Sequence, residues 1–271
     1  VAGSGGRLGK LPPKALGAAL AVVGLALALS GTPAGAAANS PNIVLILTDD
    51  QTSYEFDAMP QTKSLIRDRG VTFNRFYTSY PLCCPSRATF LTGEYMHNHG
   101  VRGNLPSYGG HGVFASSGRE AKSLPVWLQA AGYDTAHVGK YLNGYGDGAD
   151  TKVPPGWNAW YGQISDYDPA EVGGRLYYNY QLLEKGLTGP ATLNSYGSAP
   201  GDYQGDVLVT RALTAIDDLS ATGKPFFLEF APHAPHFPFT PPPRYAGTMA
   251  TAKLPKLPGV NEKEIKDKPL F

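Results

Sequence analysis

Apolar and polar positions fall into blocks along the chain. Asn42-Ile43-Val44-Leu45-Ile46-Leu47 is a continuous apolar run that stops at Thr48-Asp49-Asp50-Gln51. A run with no polar face predicts a central parallel strand covered on both sides. Pro225-Phe226-Phe227-Leu228-Glu229-Phe230 predicts a second strong strand, ending in Ala231-Pro232-His233-Ala234-Pro235-His236. Asp134 to Val138 predicts a short strand leading into Gly139-Lys140. Helical spacing lies between these runs. Thr62 to Arg69 is stopped by Gly70, and Pro85 opens a helix that Gly93 closes. Ser123 caps a helix that carries Pro125 early and ends at Gly132. Asp206 to Leu219 presents Val209, Leu213, Ile216 and Leu219 on one face, with Gly223 beyond it. Residues 145 to 200 are rich in Gly, Tyr, Pro and Asn and read as long loops, with a small hairpin around Leu176 to Leu183. From Pro241 onward the Pro- and Lys-rich chain carries no clear element. Alternating strands and helices predict an α/β sheet. In such sheets ligands sit outside the carboxyl ends of strands. Three predicted strands deliver polar groups there: Asp49 and Asp50, Lys140, and His236.

Composition narrows the class. The chain has 271 residues, enough for one large domain or at most two. Despite 33 glycines and 24 prolines, an aromatic content of 11% argues for a packed core rather than disorder. Lys+Arg 23 against Asp+Glu 22 leaves a net charge of +1, which lacks the basic excess of a nucleic-acid binder. The only two cysteines are neighbours, Cys83 and Cys84, which excludes a disulfide framework and a Cys-rich zinc site. Residues 1 to 38 read as an export signal. Arg7, Lys10 and Lys14 precede an apolar stretch from Ala15 to Leu29, followed by the small-residue run Ala34-Gly35-Ala36-Ala37-Ala38. The apolar stretch is shorter than the ~20 residues of a membrane span, so no stable span is expected after cleavage. The mature chain is then 39–271, secreted or otherwise extracytoplasmic.

Two constellations carry chemistry. Asp49 and Asp50 repel each other unless a cation joins them, and hard cations take such oxygen ligands. A solvated turn is the alternative reading. Cys83 falls at the amino end of the helix opened by Pro85, where backbone N–H groups favour an anion. Arg87 lies one turn on and can fold back to the same anion. A buried structural cysteine is the alternative, and no cysteine-protease signature surrounds the pair.

Cys83-Cys84-Pro85-Ser86-Arg87 followed by Leu91-Thr92-Gly93 resembles the signature of the type I, formylglycine-dependent sulfatases. The chain is most similar to the N-acetylglucosamine-6-sulfatase-like branch, through Leu47-Thr48-Asp49-Asp50-Gln51, Gly139-Lys140-Tyr141-Leu142-Asn143, Pro155-Gly156-Trp157 and Tyr177-Tyr178-Asn179-Tyr180. The resemblance implies an alkaline-phosphatase-like fold with a mixed, mainly parallel sheet flanked by helices, of which residues 39–271 are the amino-terminal part. It implies that a separate formylglycine-generating enzyme converts Cys83 to formylglycine, whose hydrate is the nucleophile. It further implies a Ca²⁺ ion (Mg²⁺ less so) on Asp49, Asp50 and the modified Cys83. Arg87 would stabilise the hydrate, and Lys140 and His236 would hold sulfate, with His236 also protonating the leaving alcohol. Asn143 stands among the substrate contacts. The implied substrate is a sulfate monoester, of a sulfated sugar or an aryl alcohol.

Several residues stay open. His233 nearly duplicates His236, but the Pro-rich context favours His236. His97, His99 and His137 read as structural. Trp157, Trp160, Tyr161, Tyr177 and Tyr178 line a sugar subsite or pack under long loops. Many sulfatases carry a histidine where Leu142 stands. The family's Asp-Asn metal pair has no counterpart here; Asn261 and Asp267 are the nearest offering. Alternatives are therefore a phosphonate monoester hydrolase or phosphodiesterase of the same superfamily, or an inactive anion- or glycan-binding fragment.

Overall fold

A computed structural model describes residues 40–147, 151–164, 176–253, 262–264 and 266. The export signal, Asn261 and Asp267 lie outside the described residues. Six strands form one sheet: β1 (Ile43–Ile46), β2 (Asp134–Gly139), β3 (Ala159–Gln163), β4 (Gln181–Lys185), β5 (Thr192–Ser195) and β6 (Phe226–Ala231). Their order is β1-β6-β2-β3-β4-β5. The β1–β6, β6–β2 and β2–β3 pairs are parallel and the last two are antiparallel. The helices are α1 (Pro60–Leu65), α2 (Cys83–Thr92), α3 (Met96–His99), α4 (Gly110–Ser116), α5 (Leu124–Ala130) and α6 (Gln204–Ala221). The expected α/β architecture, a mixed and mainly parallel sheet flanked by helices, is present. Among the described residues no helix is long and apolar enough to cross a membrane.

The middle strands of the sheet are covered on both faces. One core joins Cys84, Ala88 and Leu91 of α2 to Phe114, Trp160 and Phe227. The 84, 88, 91 spacing is one helical stripe. The other core sets α6 against Val138, Leu182 and Leu228.

Four sequence expectations are corrected. β1 is an edge strand among the described residues, not a central one, and Val44 and Ile46 are exposed. A continuous apolar run reports that both faces suit burial, not that cover is present. The buried face of α6 is Leu208, Ala212, Ala215 and Leu219, while Val209 and Leu213 are exposed. Small alanines let the helix lie close to β2 and β6, so the packed stripe is not the bulkiest one. The hairpin is β4–β5, later than expected, and turns at Gly186–Pro190; Leu176–Tyr180 only leads into it. Among the described residues, 145–200 therefore hold three short strands, β3 among them. Finally, α1 stops at Leu65 and passes into a tighter 3₁₀ turn at Arg67–Arg69 instead of continuing as one helix.

Candidate functional site

Neighbouring parallel strands bring their carboxyl ends together, and the site is built there. The β1 chain continues past its last ladder residue: Leu47 N–H donates to Phe230 and Asp49 N–H to Ala234. Asp49 is thereby held beside the segment that follows β6. Asp50 adopts a left-handed conformation, φ 57°, which Asp tolerates. The turn leaves Asp49 buried and Asp50 exposed.

Lys140 follows β2 through Gly139. That residue has φ 117°, and a Cβ there would sit 2.1 Å from the Ala231 carbonyl oxygen. Only glycine lets the two strand ends approach this closely. Lys140 N–H donates to the same Ala231 oxygen at 2.8 Å, and its buried ammonium donates to Asp49 Oδ2.

Cys83 is the first residue of α2. Gly93 ends that helix in the left-handed conformation, as expected from its sequence. Pro85, Ala88 and Leu91 bury one face, and Arg87 is carried inward with them. Arg87 Nη1 donates to the Lys140 carbonyl at 2.7 Å, and Nη2 lies 3.7 Å from Asp49 Oδ1. Arg87 thus ties α2 to the end of β2. Cys83 Sγ lies 3.9 Å from Asp49 Oδ1. Burial pushes the Cys83 thiol up, but the hydrogen bond with His236 and the Lys140 charge outweigh it and leave the thiol below its ordinary value. Cys84 is different: burial pushes it up to about 11, so it stays a neutral thiol.

His236 is raised above the ordinary histidine value, first by its hydrogen bond to Cys83. Its Nδ1 donates to the Phe237 carbonyl, and Nε2 faces Asp50 Oδ2 at 3.5 Å. His233 is fully buried. Its Nδ1 donates to Gln163 Oε1, and Nε2 lies 3.8 Å from Asp49 Oδ2. Burial, and then the Lys140 charge, hold His233 well below the ordinary value. In metal-free buffer the unfolded chain therefore takes up a proton that folded His233 refuses. Stability should fall as the pH drops below the ordinary histidine value of 6.5. His233→Gln should flatten the dependence of Tm on pH across about pH 5–7, and an unchanged slope would show that other groups carry it.

The sequence-predicted residues Asp49, Asp50, Cys83, Arg87, Lys140 and His236 all converge. Asn143 is adjacent but turned toward the neighbouring cysteine: Cys84 donates to its Oδ1 at 3.3 Å, and Asn143 N–H donates to Cys84 Sγ at 3.1 Å. Trp157, Trp160, Tyr161 and Tyr177 are buried, which favours their packing role. His99 bonds Thr89 and Val101 inside the fold, and His137 pairs with Glu229; both are structural.

Sequence reasoning missed the supports. Gln163 and Gln204 hold His233, with Gln204 donating to Gln163. Asn104 Oδ1 accepts the Cys84 N–H, and the Tyr177 hydroxyl donates to the His236 carbonyl at 2.6 Å. A glutamine closing the apolar run Ala159–Gln163 was the one available signal.

Asp49, Asp50 and Cys83 each offer a ligand atom within 4.8 Å of the others. With an oxygen in place of sulfur at position 83, this donor set suits a hard cation.

A family model described as Sulfatase matches residues 41–257. The Sulf-1 homolog of Caenorhabditis elegans is 40% identical over 210 residues, covering 76% of this chain and 27% of that protein. Human N-acetylglucosamine-6-sulfatase is 36% identical over 243 residues, covering 88% and 41%. A solved protein in complex with its substrate D-glucosamine-2-N,6-O-disulfate superposes with a TM-score of 0.59 at 26% identity, covering 80% and 39%. The chain spans less than half the length of these relatives.

Proposed function

The chain belongs to the sulfatase family, and from that premise we propose that residues 39–271 form the amino-terminal portion of the catalytic domain of an exported sulfate monoester hydrolase. Residues 1–38 act as its export signal. The observation that carries the reading is the placement of Cys83 among Asp49, Lys140 and His236 at the common end of parallel strands.

A formylglycine made from Cys83 supplies, as its hydrate, an oxygen nucleophile, and Ca²⁺ held by Asp49, Asp50 and that residue supplies charge neutralisation at sulfate oxygens. The chain's own side chains do the rest. Lys140 is a buried cation fixed by backbone on one side and by Asp49 on the other, so it meets a sulfate oxygen without reorganising. Arg87 spans Asp49 and the Lys140 carbonyl and keeps the amino end of α2 at a set distance from β2. His236 has Nδ1 committed to Phe237 and Nε2 facing Asp50 Oδ2 at 3.5 Å on the pocket side. It can therefore carry the proton that the departing alcohol needs. Asn143 borders the pocket and contributes to substrate contact from its place on Cys84. The solved relative's glucosamine disulfate and the human relative's name support a sulfated glucosamine as substrate.

The test is chemical conversion followed by competition. The protein, carrying residues 39–271 within its complete catalytic domain, is co-expressed with a formylglycine-generating enzyme, and the Cys83 peptide is weighed. Conversion lowers its mass. With Ca²⁺ present, the converted protein should release sulfate from 6-sulfated glucosamine faster than it cleaves a phosphonate monoester. Full conversion without sulfate release, or a faster phosphonate reaction, overturns the proposal.

A further inference from the structure

His236 lies at the start of a turn, and two buried tyrosines hold that turn from outside. The His236 carbonyl accepts the Phe239 N–H at 3.2 Å, and Phe239 takes a left-handed conformation, φ 58°. This closes a four-residue turn. A carbonyl has a second lone pair, and here it takes the Tyr177 hydroxyl at 2.6 Å. One residue past the turn, the Thr240 carbonyl takes the Tyr203 hydroxyl at 3.1 Å. The two tyrosine rings are stacked, with centroids 5.9 Å apart and planes 9° from parallel. Both residues are buried. Burial pushes both hydroxyls up, so they stay protonated donors.

The tyrosines are anchored away from the turn. Tyr203 immediately precedes α6, and the Tyr177 carbonyl accepts the N–H of Gln204, the first residue of that helix, at 2.9 Å. The Gln163 side chain, at the end of β3, donates to the Leu176 carbonyl at 3.3 Å. Arg244 ties the outgoing chain to Asp206 of α6 through two contacts of 2.6 Å. The turn is thus referred to α6 and β3, which the sheet fixes. The imidazole follows the turn, because its Nδ1 donates to the carbonyl of the next residue, Phe237. Whatever sets this backbone therefore sets Nε2. The ring itself is only partly buried, so it needs such a hold. A proton donor displaced by an ångström loses much of its effect.

We propose that Tyr177 and Tyr203 are positioning residues, a stacked pair that clamps the His236–Thr240 segment at two carbonyls and so aims His236 Nε2 at the leaving oxygen. The inference rests on the hydrolase reading above and deepens it. As the bond from sulfur to the leaving oxygen breaks, that oxygen takes the Nε2 proton and the imidazole is left neutral. The alcohol of a sugar needs the proton. A nitrophenolate leaves as a stable anion and does not. The clamp therefore governs turnover of sugar esters and is nearly silent for activated aryl esters.

The experiment uses the converted protein with its complete catalytic domain, at saturating Ca²⁺. Tyr177→Phe removes one hydroxyl and keeps the stacked ring. It should lower kcat/KM for 6-sulfated glucosamine roughly 10- to 100-fold and leave kcat/KM for 4-nitrophenyl sulfate within about twofold. Inorganic sulfate should inhibit both proteins alike, because the anion pocket is untouched. Tyr203→Phe should separate the two esters in the same direction. Hydrogen–deuterium exchange reads the clamp without turnover. In both variants the peptide carrying His236–Thr240 should exchange roughly fivefold faster, while α6 is unchanged. Equal losses on the two esters, an unimpaired sugar ester or unchanged exchange would each overturn the proposal. An unsubstituted protein that releases no sulfate, with exchange that still responds to Tyr177→Phe, would count against the hydrolase reading and not against the clamp.

Discussion

Replacing Cys83 by alanine should abolish sulfate release, a loss of roughly 10⁴-fold or more in kcat/KM, on the scale seen when a covalent nucleophile is removed. The side chain at position 83 sits at the amino end of α2, beside Asp49 and His236, and no other group there can replace it. Cys84 cannot. It is fully buried, kept neutral by burial, and engaged with Asn143. Cys84→Ala should therefore leave release measurable, with a loss of stability from the cavity it opens. The two variants are compared as converted proteins at saturating Ca²⁺. A Cys83→Ala protein that still turns over, or a Cys84→Ala protein as dead as it, would move the nucleophile elsewhere.

Lys140→Ala carries the second largest effect, and it reaches both activity and folding. The ammonium is the main cation on buried Asp49. Removing it leaves a buried carboxylate with the looser Arg87 contact at 3.7 Å and His233 at 3.8 Å. Loss of one partner of a buried pair costs about 3–5 kcal/mol, and the remaining arginine favours the lower figure. Loss of one fixed charge at the site of developing negative charge lowers kcat/KM by roughly 100- to 1000-fold. Thermal melting and steady-state kinetics on the same sample separate the two. Lys140→Arg restores the charge but not the compact point-like head, so it should recover stability before it recovers rate. An alanine variant with full activity would remove Lys140 from the site.

Which features were legible follows from how local their causes are. The ends of α2 were readable because Pro85 and Gly93 act within a turn of themselves. The convergence of Asp49, Lys140 and His236 was readable because each closes an apolar run, and parallel strands put such ends on one side. The motif around Cys83 supplied the rest of the site. What failed depended on neighbours. The apolar run of β1 did not reveal an edge position, since hydrophobicity records suitability for burial and not the number of partners. The face of α6 was misjudged because Ala212 and Ala215 weigh little in a count of bulky residues, although they permit the closest approach to the sheet. The hairpin of β4 and β5 lies several residues past its expected place because turn-forming residues surround it, and β5 is largely exposed. Gln163 and Gln204 were invisible as supports because a glutamine says nothing about its partner until the fold brings one within reach.

The approach of Gly139 to the Ala231 carbonyl has a consequence for ligand design. The base of Lys140 is set by backbone and its ammonium by Asp49, so the cation is in place before anything binds. An acidic inhibitor would meet a receptor that has already surrendered its freedom at that point, and the entropy of ordering the lysine would not be charged against its affinity. Tight binding there should depend on how well the inhibitor's own oxygens are prearranged, more than on its size.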